Sequence, residues 1–124
     1  AGDLVNDAMF LSGLSKVKTD IDGEDQEAWR PGMLLQYVQD RYIKPDILID
    51  VTEFWDTKME AIHAFSTQFF NPDNDDQGTY ISSPEFLKII EARGRDLGKY
   101  IGATYAEGFT SRKYLGVDNL FQLR

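Results

Sequence analysis

The chain has 124 residues, a formal net charge of -8 and 42% hydrophobic residues, which is the length and composition of one globular domain. This acidic balance lacks the basic surface that phosphate groups require, so we expect no nucleic-acid partner and no acidic membrane surface. Cysteine is absent, which excludes disulfides and thiolate metal sites and is compatible with a cytoplasmic location. No apolar run approaches the ~20 residues of a transmembrane helix, so we expect no membrane insertion.

The first pattern is a helical repeat of apolar residues at Leu4, Val5, Ala8 and Leu11. It predicts a helix from Asp3 to about Leu11 that ends at Ser12 and Gly13, where glycine can adopt a left-handed cap. Because the sequence enters this helix directly and without an initiator methionine, we expect further polypeptide before Ala1.

Residues 16–32 are polar and interrupted by Gly23 and Pro31, which predicts a long loop. Trp29 in this loop is too large to lie in water without cause, so it either plugs the edge of the core or sits at an interface. The aromatic residues Tyr114 and Phe121 offer the same two alternatives.

Two β-rich segments follow, at residues 33–39 and 46–52. The second contains the nearly continuous apolar run Ile47, Leu48, Ile49 and Val51, which is typical of a strand covered on both faces. It leads into a predicted helix from residue 53 to 70, which Asp50 or Thr52 can cap. Trp55, Met59, Ile62 and Phe69 form the apolar stripe of this helix, with Phe65 beside it.

An acidic loop at residues 71–82 resembles a calcium loop, because Asp73, Asp75 and Gln77 alternate ahead of Gly78. The final ligand position of such a loop would be Pro84, which has no side-chain oxygen. A solvated acidic loop between two helices is therefore the alternative.

Ser83, Pro84 and Glu85 are a strong helix start. The following helix has a stripe of Phe86, Ile90, Leu97 and Ile101 and a plausible cap at Gly102. Its glycines, four residues apart at positions 94 and 98, favour close helix packing. A short strand is predicted from Tyr105 to Thr110.

Local chemistry gives no complete active site. The single histidine, His63, has no second histidine and no cysteine with which to bind zinc. The chain also has neither a glycine-rich phosphate loop nor a G-x-S-x-G nucleophile elbow.

Longer blocks are more informative. KPDILIDVTEFWDTKMEAIHAFSTQFF and SPEFLKIIEARGRDLGKYIGATYAEGFTS resemble the C-terminal half of the LmbE-like (PIG-L) deacetylases, among them the bacillithiol-biosynthesis N-acetylglucosaminyl-malate deacetylases. The resemblance extends over nearly the whole chain, including VNDAMFLSGLSKVKT and EAWRP. It depends on the order and spacing of Lys58, Ala61, Thr67, Gln68, the Glu91-Ala92-Arg93 triplet and the block from Tyr105 to Phe109.

This resemblance implies zinc chemistry whose ligands lie elsewhere. Such enzymes bind zinc through an A-H-P-D-D motif, which also contains the general base, and a later H-P-D-H motif, and neither motif is present in this chain. In the family, a zinc-bound water attacks the acetamide carbonyl of an N-acetylglucosamine conjugate. The resemblance therefore predicts that a missing N-terminal half supplies the metal site and that this chain contributes no metal ligand.

The resemblance also suggests residues that contact the substrate. Some relatives supply a tyrosine near the start of the E-A-R helix, where this chain has Phe86, so Tyr80 is the nearest substitute as oxyanion donor. Gln68, Arg93 and Glu107 are candidates for orienting the sugar or its malate carboxylates. The structural alternatives are that Gln68 caps a helix end, that Arg93 pairs with Glu91 or Asp96, and that Glu107 satisfies loop N–H groups.

Residues 1–124 are thus predicted to form a single α/β region, the C-terminal part of a Rossmann-like fold with helices on a small, mostly parallel sheet. The predicted function is the C-terminal portion of a zinc-dependent N-deacetylase, catalytically silent alone and homo-oligomeric. The alternative is a non-catalytic interaction or calcium-binding module built on the long helices, which would bind calcium through Asp73 and Asp75.

Overall fold

The computed structural model describes residues 2–66, 68–69 and 79–123. Among these residues the chain divides into two compact units. The first comprises Ala1–Gln36 with Ser111–Asp118, and the second comprises Tyr37–Thr110 with Asn119–Arg124. The expectation of one α/β region belonging to a larger domain stays a prediction.

The first unit contains helix α1 and a small hairpin. Helix α1 spans Gly2–Ser12, as predicted, but none of its residues is buried. Gly13 does not adopt the left-handed conformation expected of it. Among the described residues, the glycines with positive φ are Gly23 and Gly102. The helix instead ends in a tighter turn, in which the amide of Gly13 donates to the carbonyl of Phe10 over 3.4 Å.

The hairpin lies in the segment that was predicted to be a loop. Strand β1 (Asp20–Ile21) pairs in antiparallel register with strand β2 (Glu24–Asp25). The turn between them has φ of 55° at Asp22 and 85° at Gly23. Positive φ at both central residues is the requirement of the tight hairpin turn that Asp-Gly favours. The prediction of a long loop from residue 16 to 32 was therefore wrong at this hairpin.

The larger sheet has three strands in the order β3-β5-β4. Strand β3 is Gln36–Tyr37, β4 is Ile47–Asp50 and β5 is Ala106–Thr110. Strands β4 and β5 are antiparallel, with Ile49 opposite Glu107. The amides of Asp46 and Val51 extend this pairing beyond β4, to the carbonyls of Phe109 (2.8 Å) and Tyr105 (3.0 Å). The protein is thus a mixed α/β chain, but the expectation of a mostly parallel sheet is corrected by this antiparallel pairing.

Burial differs along β4 from the sequence prediction. Ile47 and Leu48 are half-buried, whereas Ile49 is 42% exposed. The apolar run predicted a strand covered on both faces. The described residues leave part of β4 exposed.

Helix α2 spans Trp55–Ala64 and is shorter than predicted. A single 3-10 turn, Thr52–Phe54, precedes it, and the Asp50 carboxylate accepts the amide of Thr52 at 3.0 Å rather than capping α2 itself. At the other end Phe65 leaves the helical conformation, with φ -84° and ψ 56°. The predicted helix to residue 70 is therefore wrong beyond Ala64.

Helix α3 spans Pro84–Ile101 and begins and ends as the sequence predicts. The hydroxyl of Ser83 accepts the amide of Phe86, and Pro84 occupies the first turn, where its missing N–H has no cost. Gly102 closes the helix in the left-handed conformation at φ 69°.

The core of the second unit lies where α2 and α3 meet the sheet. In the part of the chain that the structure describes, the buried apolar side chains are those of Trp55, Leu97 and Ala106. A Cβ added to Gly94 would lie 2.6 Å from the Trp55 ring, and one added to Gly98 would lie 2.7 Å from the carbonyl oxygen of Ala103. These glycines let α3 approach α2 and the following chain closely, as their spacing predicted.

Residues 70–78 lie outside the described residues, and with them the predicted calcium ligands Asp73 and Asp75. Among the helices that are described, none combines the length and apolarity needed to cross a membrane.

Candidate functional site

A cavity of about 560 Å³ opens in the second unit. Its volume lies within the range of about 300–1,000 Å³ that is usual for small-molecule sites. Its apolar wall comes largely from α3, through Phe86, Ile90 and Leu97. The polar and charged residues on its lining are Tyr37, Gln39, Asp40, Lys58, Gln68, Tyr80, Arg93 and Glu107. All four residues that the resemblance assigned to the substrate therefore lie at this one cavity, although they come from separate segments of the chain.

Glu107 reaches the cavity from β5, between the buried residues Ala106 and Gly108. Its carboxylate accepts a short hydrogen bond of 2.5 Å from the Nζ of Lys58 on α2. Both side chains are 33% exposed, so each ion keeps access to a ligand. Among the described residues, the Glu107 side chain bonds this ammonium, and the structure shows no bond from a loop N–H group to it.

Arg93 crosses from α3 to the segment after β3. Its Nη2 donates to the backbone carbonyl of Asp40 over 2.8 Å. The predicted structural alternative, a pair with Glu91 or Asp96, is not found; Glu91 instead accepts the Nε of Arg95 at 3.0 Å. Because a guanidinium has five N–H donors in a planar fork, one bond to a carbonyl leaves Arg93 able to bind a ligand carboxylate.

Tyr80 and Phe86 form one aromatic corner of the cavity. The Tyr80 ring meets the Phe86 ring edge-on, with the centroids 5.5 Å apart at an angle of 81°, and Phe86 also stacks near Phe69 at 5.8 Å. Tyr80 is 56% exposed, so its hydroxyl can reach a ligand. Tyr80 and Phe86 thus lie side by side at the cavity.

Gln68 lies at the same cavity, in the turn that follows α2. Its backbone amide donates to the carbonyl of Phe65 at 2.9 Å. Gln68 therefore does help to close the chain after the helix, through its backbone, and this does not engage its side-chain amide.

Sequence reasoning did not assign a site role to Lys58, which lies one helical turn after Trp55. Its Nζ is 5.1 Å from the centroid of the Trp55 ring. That ring is stacked in parallel on Tyr105, with 4.0 Å between centroids and 4° between planes. Residues three apart on a helix share a face, so this spacing was the signal that could have placed Lys58 with the core tryptophan.

Tyr105 carries a polar network beside the stack. Its hydroxyl donates to the Oε1 of Glu91 at 3.2 Å and accepts the Nη2 of Arg95 at 2.7 Å. Removal from water raises the pKa of Tyr105 above its usual value, the Arg95 guanidinium opposes that rise, and the hydrogen bond to Glu91 adds to it. The phenol is therefore protonated at neutral pH and serves as a fixed hydrogen-bonding group.

Metal ligands are not assembled by the described residues, which contain no cluster of three or more His, Asp or Glu side chains able to hold an ion. His63 is exposed on α2. What the cavity offers is a mixed chemistry of an ammonium, a carboxylate, a guanidinium and a phenol beside aromatic rings. Such a set suits a ligand with hydroxyl groups and a negative charge.

No protein-family profile matches the chain. Among solved structures, it is similar to the crystal structure of the conserved protein TT1542 from Thermus thermophilus, with a TM-score of 0.73 and 27% sequence identity. The match covers 94% of this chain and 46% of the other, so this chain spans about half the length of the solved structure that it matches.

Proposed function

We propose that this chain is the C-terminal portion of a zinc-dependent N-deacetylase of the LmbE-like (PIG-L) family, which hydrolyses the acetamide of an N-acetylglucosamine conjugate. The proposed substrate is N-acetylglucosaminyl-malate, in bacillithiol biosynthesis, and the proposed location is the cytoplasm. The observation that carries the proposal is that Gln68, Tyr80, Arg93 and Glu107, chosen for their places in the family-like blocks, line one cavity of ligand size.

In this proposal the residues of the chain bind and orient the substrate. The guanidinium of Arg93, held by its hydrogen bond to Asp40, pairs with a malate carboxylate. Glu107 and Gln68 hydrogen-bond the sugar. The hydroxyl of Tyr80 donates to the oxygen that becomes negative as the acetamide is attacked.

Zinc, which would supply the activated water, does not fit the residues described. No group of three or more potential ligands is present among them. In the proposal, the metal and the general base belong to an N-terminal half outside this chain. This chain alone is accordingly inactive in the proposal.

Strand β4 is the proposed junction with that half. Within the described sheet it lies at the edge, its neighbour on one side being β5, and its Ile49 is 42% exposed. An edge strand with exposed apolar side chains is a template for further pairing. Doubly wound folds often carry an antiparallel strand at the edge of an otherwise parallel sheet, so we propose that a parallel strand joins β4 and completes a Rossmann-like sheet.

Homo-oligomerisation is proposed from the exposed aromatic side chains. Trp29 is 70% exposed, and Tyr114 and Phe121 are almost fully exposed. Aromatic residues are enriched at protein interfaces, which favours the interface alternative over core plugging for all three. Measuring the molecular mass in solution by light scattering tests this part.

The test of function compares this chain with the longest product encoded around it. Acetate release from N-acetylglucosaminyl-malate is measured for both, with chelator and after zinc is restored. We expect activity in the longer product alone, its loss with chelator and its recovery with zinc. A normal enzymatic rate from this chain alone, or a zinc-loaded longer product that releases no acetate, contradicts the proposal.

Single substitutions in the longer product test the residue roles. Tyr80→Phe is expected to lower kcat by about 10²–10³-fold, because it removes one oxyanion donor. Arg93→Met should mainly raise KM, because it removes a contact that is equally strong in the ground state and in the transition state. The matched control is Tyr100→Phe, a tyrosine on α3 that is 68% exposed and away from the cavity lining.

A further inference from the structure

Lys58 and Glu107 present opposite hydrogen-bonding functions at adjacent positions on the cavity lining. Their Nζ and Oε1 atoms are 2.5 Å apart, one from α2 and one from β5. The ammonium can only donate hydrogen bonds and the ionised carboxylate can only accept them. A matching ligand group must therefore accept at one atom and donate at its neighbour, over a comparable separation.

Two adjacent hydroxyl groups on a sugar ring meet this requirement. Each hydroxyl both donates and accepts, and the oxygens of a vicinal pair are separated by about the distance of a hydrogen bond. A single carboxylate on the ligand would accept from Lys58 and would oppose Glu107. The N–H and C=O of a trans secondary amide point in opposite directions, so such an amide does not match the two adjacent groups either.

The Lys58 side chain is held in this position by its contact with the ring of Trp55. Its Nζ lies 5.1 Å from the Trp55 ring centroid, within the range of a cation–π contact, and Trp55 is 5% exposed. Gly94 provides the space for that ring, because a Cβ there would lie 2.6 Å from it. Lys58 is thus anchored to a buried side chain, unlike an ordinary surface lysine.

Partial exposure leaves the pair able to exchange partners. With 33% of each side chain exposed, both ions are partly solvated, and such pairs contribute little to stability. A ligand can engage the two groups without leaving a buried charge unpaired.

We propose that Lys58 and Glu107 together recognise a vicinal pair of ring hydroxyl groups on the substrate, with Lys58 also positioning the Glu107 carboxylate. This rests on the proposed function for the class of ligand, a sugar. In an N-acetylglucosaminyl conjugate the vicinal ring hydroxyls are those on C3 and C4, so the pair reads this part of the sugar and selects against sugars that lack either group.

The test couples changes in the ligand to changes in the protein. Dissociation constants are measured by isothermal titration calorimetry for the longest encoded product, stripped of metal by chelator so that it releases no acetate, with N-acetylglucosaminyl-malate and with its 3-deoxy, 4-deoxy and 6-deoxy analogues. For the wild type we expect a loss of about 10- to 100-fold for the 3-deoxy and 4-deoxy analogues, because each forfeits a hydrogen bond to a charged group. The 6-deoxy analogue, with the vicinal pair intact, should bind within about threefold of the parent.

Variants then assign that loss to the pair. In Lys58→Met the penalty for the deoxy analogue that loses the ammonium contact should largely vanish, while Lys58→Arg should retain it. Glu107→Gln should reduce the penalty for the other analogue. The matched control is Lys88→Met on α3, which removes an exposed lysine, 75% exposed and 3.9 Å from Glu85, and should leave every ratio unchanged.

Failure of this inference is distinguishable from failure of the proposed function. If the wild type releases acetate but the deoxy analogues bind as well as the parent sugar, the pair has no such role and the deacetylase stands. If the selective loss is seen without any acetate release, the pair is upheld and the deacetylase is overturned. Absence of binding to every sugar overturns both.

Discussion

Helices α1 and α3 both have apolar residues at helical spacing in sequence, but their environments in the structure differ. Along α1, Leu4 is 73% and Phe10 is 59% exposed, and no residue of the helix is buried. Along α3, Gly94, Leu97 and Gly98 are buried, against α2 and the chain that leads into β5. An apolar stripe thus specifies a helix whose apolar face can be buried. Whether that face is buried depends on the element that packs against it.

The contacts that hold the two regions differ in kind. In the first unit, Arg30 donates to the carbonyl of Phe10 at 2.8 Å and lies 5.1 Å from its ring, and Arg112 pairs with Asp3. These are exposed polar contacts, which typically contribute about 0–1 kcal/mol each. In the second unit, an indole ring stacks on a tyrosine and lies against a glycine of α3, and burial of that kind contributes more. Stability is therefore concentrated around Trp55.

The largest expected difference in the free energy of unfolding is between substitutions of the two tryptophans. Trp55→Ala leaves a cavity between α2 and α3 and should lower the free energy of unfolding by about 3–5 kcal/mol. Trp29→Ala, at a side chain that is 70% exposed, should change it by no more than about 0.5 kcal/mol. Urea unfolding followed by far-UV circular dichroism measures both variants without requiring either fluorophore. Equal losses would break the comparison between the two units.

A smaller effect is expected at the close contact of α3 with the chain after it. Gly98→Ala puts a methyl group 2.7 Å from the carbonyl oxygen of Ala103, a backbone atom that cannot rotate away. The overpacking costs about 1–3 kcal/mol, and alanine's better helix propensity returns at most about 1 kcal/mol. We therefore expect a net loss in urea unfolding.

Lys99→Ala is the matched control for this substitution, because Lys99 is the next residue of the same helix and is exposed. Its effect should remain within about 0.5 kcal/mol. A Gly98→Ala variant as stable as the wild type would show that α3 does not depend on this approach.

The smallest effect is confined to high pH and to the hydroxyl of Tyr105. Its pKa is raised above 10.0 in the folded protein, chiefly by removal from water, so the folded state retains this proton more strongly than the unfolded chain. The resulting stability is complete below the unfolded pKa and is lost as pH rises through the folded one. Unfolding free energies measured from about pH 9 to about pH 11 should show this decline in the wild type and less of it in Tyr105→Phe.

Tyr100→Phe serves as the control, since Tyr100 is 68% exposed and lies on α3, five residues before Tyr105. The control should follow the wild type across the whole range. If the free energy of unfolding of Tyr105→Phe declines with pH as much as that of the wild type, another group titrates. The pKa of Tyr105 would then not be raised by folding.

The candidate site was predictable in its members and not in its contacts. Family-like blocks picked out Gln68, Tyr80, Arg93 and Glu107, and these residues share a cavity. Their partners were not predicted, because Lys58 meets Glu107 across 49 positions and Arg93 meets Asp40 across 53. Contacts at such separations depend on how strands and helices are ordered in space, which one sequence does not encode in any local pattern.

Sequence alone determined the features that are decided within a few residues. Ser83, Pro84 and Gly102 fixed the ends of α3 because caps are local hydrogen bonds and local φ preferences. The same kind of signal, Asp22-Gly23, was present for the hairpin and was not recognised.

Tertiary structure decided the rest. It placed β5 antiparallel beside β4, ended α2 at Ala64 although the apolar stripe continues, and left α1 uncovered. The physical reason is that burial and strand pairing are properties of two surfaces, whereas a sequence pattern describes one.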